Sequence, residues 1–136
     1  MYSKKNCIFI VAFMIINEEL INKIWKKGRP VDGVDSSKFR KDACGAWIAR
    51  NKFGNRDSDF GWGIDHIYPR SMGGDDNPDN LRPLNTQNIV SKADSYPSYV
   101  ASFTSKGQNN IRKLQTKVVN RSKQEILKNL YGKHDD

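Results

Sequence analysis

The stretch that decides the fold runs from Trp62 to Leu84 and reads WGIDHIYPRSMGGDDNPDNLRPL. Over residues 62–67, large apolar side chains alternate with small or polar ones, which predicts a β-strand. The glycine- and aspartate-rich middle predicts a loop. Residues 80–84 predict a short strand, which its proline confines to a sheet edge. Residues 86–94 predict a helix with Asn85 or Thr86 as its cap. This order of elements indicates an α+β fold.

An acid and an imidazole are adjacent near the end of the first predicted strand, at Asp65 and His66. Successive side chains of a strand point to opposite faces, so a regular strand would place Trp62, Ile64 and His66 on one face and Asp65 on the other. If both polar groups serve one site, the strand must end or bend near residue 65.

The charge of the chain favours a polyanionic partner. Its 136 residues are a one-domain length, and they carry a formal net charge of +8 with a pI near 9.6. Residues 97–136 hold eight Lys and Arg against three acids, whereas residues 1–96 hold fifteen against twelve. The excess is therefore strongest towards the C-terminus, although a basic composition also occurs in proteins that bind no polyanion.

The N-terminal segment is apolar but short. Ten apolar residues from Cys7 to Ile16 follow Lys4-Lys5, and ten are too few for a helix to cross a bilayer. Asn17-Glu18-Glu19 stand where the small residues of a signal-peptide cleavage site would be. We therefore expect residues 1–16 to form an extension or a strand of a cytoplasmic protein without a membrane partner, with secretion as the alternative. A helix capped by Asn17 and ended by Gly28 should follow.

Several parts of the deciding stretch together resemble the core of the HNH endonuclease family, in its bacterial and phage form. They are Asp65-His66-Ile67, Pro69, Gly73-Gly74, Asn80-Leu81 and Pro83-Leu84. The resemblance covers about residues 39–97 and implies a ββα-metal finger, also called a His-Me finger, built from residues 62–67, 80–84 and 86–94. It implies a metal-dependent endonuclease that hydrolyses DNA phosphodiester bonds and nicks one strand per active site. Neither cysteine lies in a Cys-x-x-Cys pair, so no structural zinc is expected.

The resemblance also implies roles for individual residues. His66 matches the general base, and a histidine, whose ordinary pKa is about 6.5, can accept a proton from water near neutral pH. Asp65 matches the acid that binds the metal, for which Mg²⁺, or Mn²⁺ as an alternative, suits oxygen ligands. Asn80 matches the residue that closes the loop and orients the histidine. Each also has an ordinary structural interpretation, such as a strand-end Asp65 that pairs with Arg70 or Arg82.

The third position of the motif departs from the family pattern. Relatives usually carry a metal-binding His or Asn three residues before a lysine, and here that position is Ile89, three residues before Lys92. Asn88 precedes it, but one residue on a helix is a rotation of about 100°. Either Asn88 takes the role of metal ligand together with Asp65, or the ion has fewer protein ligands and more water. A degenerate finger that only binds nucleic acid is the competing interpretation.

Basic residues around the motif are candidates for contacts to the phosphates of double-stranded DNA, and they are Arg56, Arg70, Arg82 and Lys92. Six further basic residues are expected on a C-terminal helix: Arg112, Lys113, Lys117, Arg121, Lys123 and Lys128. The expected organisation is an extension over 1–16, a nuclease domain over 17–100 with its core at 60–95, and a basic helical segment over 101–136. A toxin nuclease is a third possibility.

Overall fold

The computed structural model describes residues 18–132, in which three helices are combined with three antiparallel strand pairs. The helices are α1 (18–25), α2 (Thr86–Lys92) and α3 (Arg121–Tyr131). The strands are β1 (Phe39–Lys41), β2 (Trp47–Ala49), β3 (Trp62–His66), β4 (Leu81–Asn85), β5 (Ser98–Lys106) and β6 (Asn109–Val118). The predicted α+β class is confirmed. The expected extension over 1–16 and the cap at Asn17 lie outside the described residues.

The deciding stretch forms an antiparallel hairpin followed directly by a helix. β3 pairs with β4 so that Trp62 lies opposite Asn85 and His66 opposite Leu81. The side chain of Asn85 caps α2 by accepting a hydrogen bond from the Gln87 N–H at 2.9 Å. The predicted helix extends to residue 94, but α2 ends at Lys92, because Ala93 adopts a φ of +49° and turns the chain away.

The β3–β4 hairpin contributes to two apolar clusters. One cluster joins α1 to the hairpin through Ile24, Trp25, Trp62 and Leu81, with the two tryptophan rings 5.2 Å apart. The other cluster, made of Cys44, Ile67, Leu84, Tyr99, Ala101, Val119, Leu127 and Tyr131, joins the same hairpin to β5 and α3. Burying apolar side chains in both clusters fixes the position of β3 and of the loop that follows it.

The C-terminal part differs from the expected basic helix. Residues 98–118 form the β5–β6 hairpin, and only Arg121–Tyr131 is helical. Arg112, Lys113 and Lys117 therefore lie on a strand, while Arg121, Lys123 and Lys128 lie on α3. The hairpin turn explains the difference, since Gly107 takes a φ of +61° that glycine adopts readily. Within residues 18–132, no helix is both long and apolar enough to cross a membrane.

A buried polar network holds the start of α2 to its neighbours. Asp42 is 2% exposed, and its carboxylate accepts hydrogen bonds from the N–H groups of Cys44, Ala46 and Asn85 and from the Asn88 amide, at 2.9–3.1 Å. Burial raises the pKa of Asp42, and these four donors oppose that rise. One carboxylate thus links the turn after β1 to β4 and α2.

Asp42→Asn should lower the free energy of unfolding by about 2–3 kcal/mol. The amide nitrogen would replace one carboxylate oxygen, and each oxygen accepts two of the four hydrogen bonds. Two of the four buried N–H groups would then face the new amide NH₂, which donates and cannot accept their hydrogen bonds. Urea denaturation followed by circular dichroism measures the loss. Asp32→Asn, at an exposed position, is the matched control and should change stability by less than about 0.5 kcal/mol; equal stability of the two variants would contradict the prediction.

Candidate active site

The loop after β3 is closed by a buried asparagine. Asn80 is fully buried, and its side-chain oxygen accepts a hydrogen bond from the Tyr68 N–H at 2.7 Å. Its amide nitrogen donates to the carbonyls of Tyr68 and Asp75 at 3.0 and 3.1 Å. A Cβ at Gly74 would lie 1.8 Å from the Tyr68 oxygen, so this close approach requires glycine. Asn80 and Gly74 therefore fix the start of the loop, two residues after His66.

His66 faces this loop and contacts a carboxylate that the sequence analysis did not single out. Its Nε2 lies 2.8 Å from Oδ1 of Asp76, and the Arg70 guanidinium lies 2.7 Å from the same oxygen. The hydrogen bond to His66, helped by the charge of Arg70, lowers the pKa of Asp76. The His66 side chain is 24% exposed, so solvent reaches the ring. A neutral imidazole that donates from Nε2 keeps Nδ1 as an acceptor.

Asp65 lies in a different environment from His66. Its side chain is 6% exposed and pairs through Oδ2 with Nε of Arg82 at 2.9 Å and through Oδ1 with Nζ of Lys92 at 3.4 Å. Lys92 is 1% exposed and also donates to the backbone carbonyl of His66 at 3.1 Å. Burial lowers the pKa of Lys92. Burial also acts to lower the pKa of Arg82, but its interactions with Asp65 and Tyr99 together outweigh burial and raise that pKa.

The two central side chains therefore have separate partners. Asp65 is held by the buried Lys92 and the partly buried Arg82, and His66 is held by Asp76 in the loop. The strand remains regular through residue 66, with His66 still paired with Leu81. The strand was expected to end or bend near residue 65, and it ends at His66. Both residues still belong to β3, so the alternation of a strand keeps the two groups apart.

Asn88 lies in the buried network of Asp42. Its side-chain oxygen accepts hydrogen bonds from the N–H groups of Ser102 and Phe103, both at 2.8 Å, and its nitrogen donates to Asp42 and to the Phe103 carbonyl. The side chain thus fastens β5 to α2. The expectation that Asn88 helps to hold an ion does not fit these contacts. Its side-chain oxygen already accepts two backbone hydrogen bonds, and Asp65 is not among the groups that it contacts.

The residues present do not fit the divalent ion that the resemblance implies. Both oxygens of Asp65 face positive groups, and Ile89 packs its Cδ1 3.1 Å from the position that a Cβ on Gly63 would occupy. Along residues 18–132, no group of three or more His, Cys, Asp and Glu side chains is arranged to hold a metal. A cation at Asp65 would have to displace Lys92 or Arg82 and leave it buried without its partner.

The four predicted phosphate-binding residues divide into two pairs. Arg56 and Arg70 are exposed, and Arg70 shares a carboxylate with His66. Arg82 and Lys92 are 13% and 1% exposed, and both are engaged with Asp65. Of the four, Arg70 is the one that a shared contact places beside His66, and the expected role does not fit the buried Lys92.

Asp76 is the partner of His66 that the sequence did not reveal, because it lies in a stretch assigned to a connector. The available signal was its position in the Gly-Gly-Asp-Asp run. A loop closed so tightly by Asn80 and Gly74 returns the next residues towards the end of β3.

Comparison with protein-family models, with curated proteins and with solved structures found no match to this chain.

Proposed function

We propose that this chain is an endonuclease of the HNH type that hydrolyses DNA phosphodiester bonds, with β3, β4 and α2 as its ββα finger. The observation that carries the proposal is the pairing of His66 with Asp76 at 2.8 Å, beside the exposed Arg70. A base oriented by a carboxylate next to a cation is the arrangement that hydrolysis of a phosphodiester needs. The order of the elements and the loop closed by Asn80 support the same proposal.

In this mechanism, His66 accepts a proton from a water molecule at Nδ1 while Nε2 donates to Asp76. The water oxygen attacks phosphorus, the bond to the departing sugar oxygen breaks, and that oxygen takes a proton from solvent. Arg70 offsets charge on the non-bridging oxygens. Asn80 acts as a positioning residue, since it fixes the loop that carries Asp76. One such centre cuts one strand, so each visit to duplex DNA produces a nick.

The role of a divalent ion stays a prediction that the donor set does not support. Mg²⁺ or Mn²⁺ would supply charge neutralisation at the scissile phosphate, but Asp65 is already paired with Arg82 and Lys92. We therefore assign no step to an ion. The chain's own exposed cation near His66 is Arg70, which supplies part of the same neutralisation.

A module that binds nucleic acid without cutting it is the second candidate. The observation that favours it is the internal pairing of Asp65, together with the structural use of Asn88 and the apolar Ile89. In that case the net charge of +8 would supply affinity for phosphates, and His66 would be a structural residue.

Incubation of the purified protein with supercoiled plasmid distinguishes the two candidates. The arms contain Mg²⁺, Mn²⁺ or EDTA, and the products are separated on an agarose gel while DNA retention is measured in parallel. The enzyme proposal predicts conversion of supercoiled to open-circular DNA before linear DNA appears. Retention of intact plasmid in every arm would support the binding module and reject the enzyme. Cleavage that persists in EDTA would show that the ion is dispensable.

Binding to duplex DNA should weaken steeply with salt. Phosphate contacts release counterions, and each contact contributes about −0.9 to the slope of log K against log salt concentration. Fluorescence anisotropy with a labelled duplex, measured in EDTA over a range of NaCl, gives the slope. Arg70→Gln should reduce the magnitude of this slope by about 0.9, the share of one phosphate contact. Lys106→Gln, at the last residue of β5, is the control. An affinity that does not respond to salt would contradict phosphate binding.

A further inference from the structure

A cavity of about 390 Å³ lies beside β4, away from His66. Its walls come from the turn after α1, the turn after β1, strand β4, the end of β6 and the start of α3. Neither His66 nor Asp76 nor Arg70 lines it. The Leu81 carbonyl faces this side of β4 and accepts a hydrogen bond from Lys27 at 3.0 Å. The cavity therefore does not include the His66–Asp76–Arg70 group, although Arg82 in its wall pairs with Asp65.

The cavity is lined by six cations and one acid. The basic residues are Lys27, Arg29, Lys41, Arg82, Lys117 and Lys123. The one acid in the lining is Asp42, which is buried and already accepts four hydrogen bonds. Among residues 18–132, Arg82 is the only one of the six cations with an ion pair. Concentrated positive charge in a concave wall favours an anionic ligand.

Two of the ammonium groups are held in place by backbone carbonyls. Lys27 donates to the carbonyls of Pro78 and Leu81, and Lys123 donates to the Asp79 carbonyl at 2.8 Å. A lysine ammonium has three donors, so one donor of Lys27 and two donors of Lys123 are left for a ligand. Burial, followed by repulsion from Lys123, lowers the pKa of Lys27. An anion between the two groups would relieve that repulsion.

The floor of the cavity is apolar. Ile67, Leu81, Pro83, Tyr99 and Val119 contribute to it, and all five are buried. An inorganic phosphate would use the cationic rim but would leave this floor uncovered. A ligand that carries phosphates on one side and a flat, weakly polar ring on the other would use both surfaces.

We propose that this cavity binds a nucleotide, with its phosphates at Lys27, Lys117 and Lys123 and its sugar or base against the apolar floor. The same chemistry is available from a free mononucleotide or from the 5′-phosphorylated end of a DNA strand. The site does not depend on cleavage at His66, because neither His66 nor its partners Asp76 and Arg70 line it.

Titration of the ¹⁵N-labelled protein in EDTA tests the proposal. The probes are deoxyadenosine monophosphate and a short single-stranded oligonucleotide with either a 5′-phosphate or a 5′-hydroxyl. We expect the amide signals of Val118, Val119 and Asn120, which line the cavity, to shift with the mononucleotide, with the 5′-phosphorylated strand, or with both. A response to the mononucleotide supports a free ligand, and a preference for the phosphorylated end supports a strand terminus. No shift with either probe would reject the site.

Lys117→Glu should weaken nucleotide binding by about tenfold or more, since it replaces a charge-assisted contact with repulsion. Lys113→Glu makes the same charge change on the same strand, at an exposed position outside the cavity lining, and should change the affinity less than about twofold. Arg29→Gln is a second cavity variant in case Lys117→Glu disturbs the fold. Equal weakening by the Lys113 and Lys117 variants would show that overall charge, rather than the cavity, attracts the ligand, and would overturn the proposal.

Discussion

Asp65→Ala should lower the free energy of unfolding by about 3–5 kcal/mol, because it leaves the buried Lys92 and the partly buried Arg82 without the carboxylate that they share. Lys92 is 1% exposed and Arg82 is 13% exposed, so water cannot fully replace the lost partner. The Nη2 atom of Arg82 is already buried without a hydrogen-bond partner, which increases its dependence on Asp65. Urea denaturation followed by tryptophan fluorescence measures the loss.

The direction of this change separates two interpretations of Asp65. A carboxylate kept only to bind a metal gives little stability to the metal-free protein, so its removal would leave the stability unchanged or raise it. A carboxylate that neutralises Arg82 and Lys92 is required for folding. Asp57→Ala, at an exposed position, is the matched control and should change stability by less than about 0.5 kcal/mol. A variant lacking Asp65 that is as stable as the wild type would contradict the ion-pair interpretation.

The double variant Asp65→Ala/Lys92→Met adds an internal check. Methionine keeps much of the lysine stem and removes the charge, so the double variant should be more stable than Asp65→Ala alone. The coupling between the two positions should exceed about 0.5 kcal/mol, since the residues are in direct contact. Additive effects would show that the 3.4 Å approach of Lys92 to Asp65 carries little energy.

The hairpin and the helix after it could be predicted because local rules and tertiary packing agree there. Alternation identified β3, Pro83 limited β4 to a partner on one side, and Asn85 capped α2. The loop between the strands was predicted from its glycines, aspartates and proline. These features depend on residues near one another in sequence, which is why the sequence alone was sufficient.

The environments of Asn88 and Asp65 could not be predicted in the same way. Asn88 is bound by Asp42 and by the backbone of residues 102–103, which come from distant parts of the chain. A sequence motif gives residue types and their spacing, but it does not show which of these side chains form hydrogen bonds or ion pairs with distant parts of the chain. The same limitation applies to the C-terminal hairpin, where the basic residues of 112–117 fit an exposed strand as well as a helix face.

His66→Ala should reduce the rate of plasmid nicking by about 10²–10⁴-fold, if the proposed nuclease is correct, because it removes the group that accepts the proton from water. The fold should tolerate the change, since the ring is 24% exposed and hydrogen-bonds to Asp76 in an exposed loop. DNA retention should persist, because Arg70 and the other exposed cations are unchanged. Quantified conversion of supercoiled to open-circular plasmid gives the rate.

Asp76→Asn provides the matched test of how the base is oriented. It weakens the hydrogen bond to Nε2 without removing the imidazole, so the rate should fall less than in His66→Ala. Because Asp76 acts through His66, adding Asp76→Asn to His66→Ala should cause little further loss. If the two losses instead multiply, Asp76 contributes to DNA binding or folding independently. If His66→Ala nicks plasmid as fast as the wild type, the imidazole is not the base, and the pairing at 2.8 Å is only a structural contact of the loop.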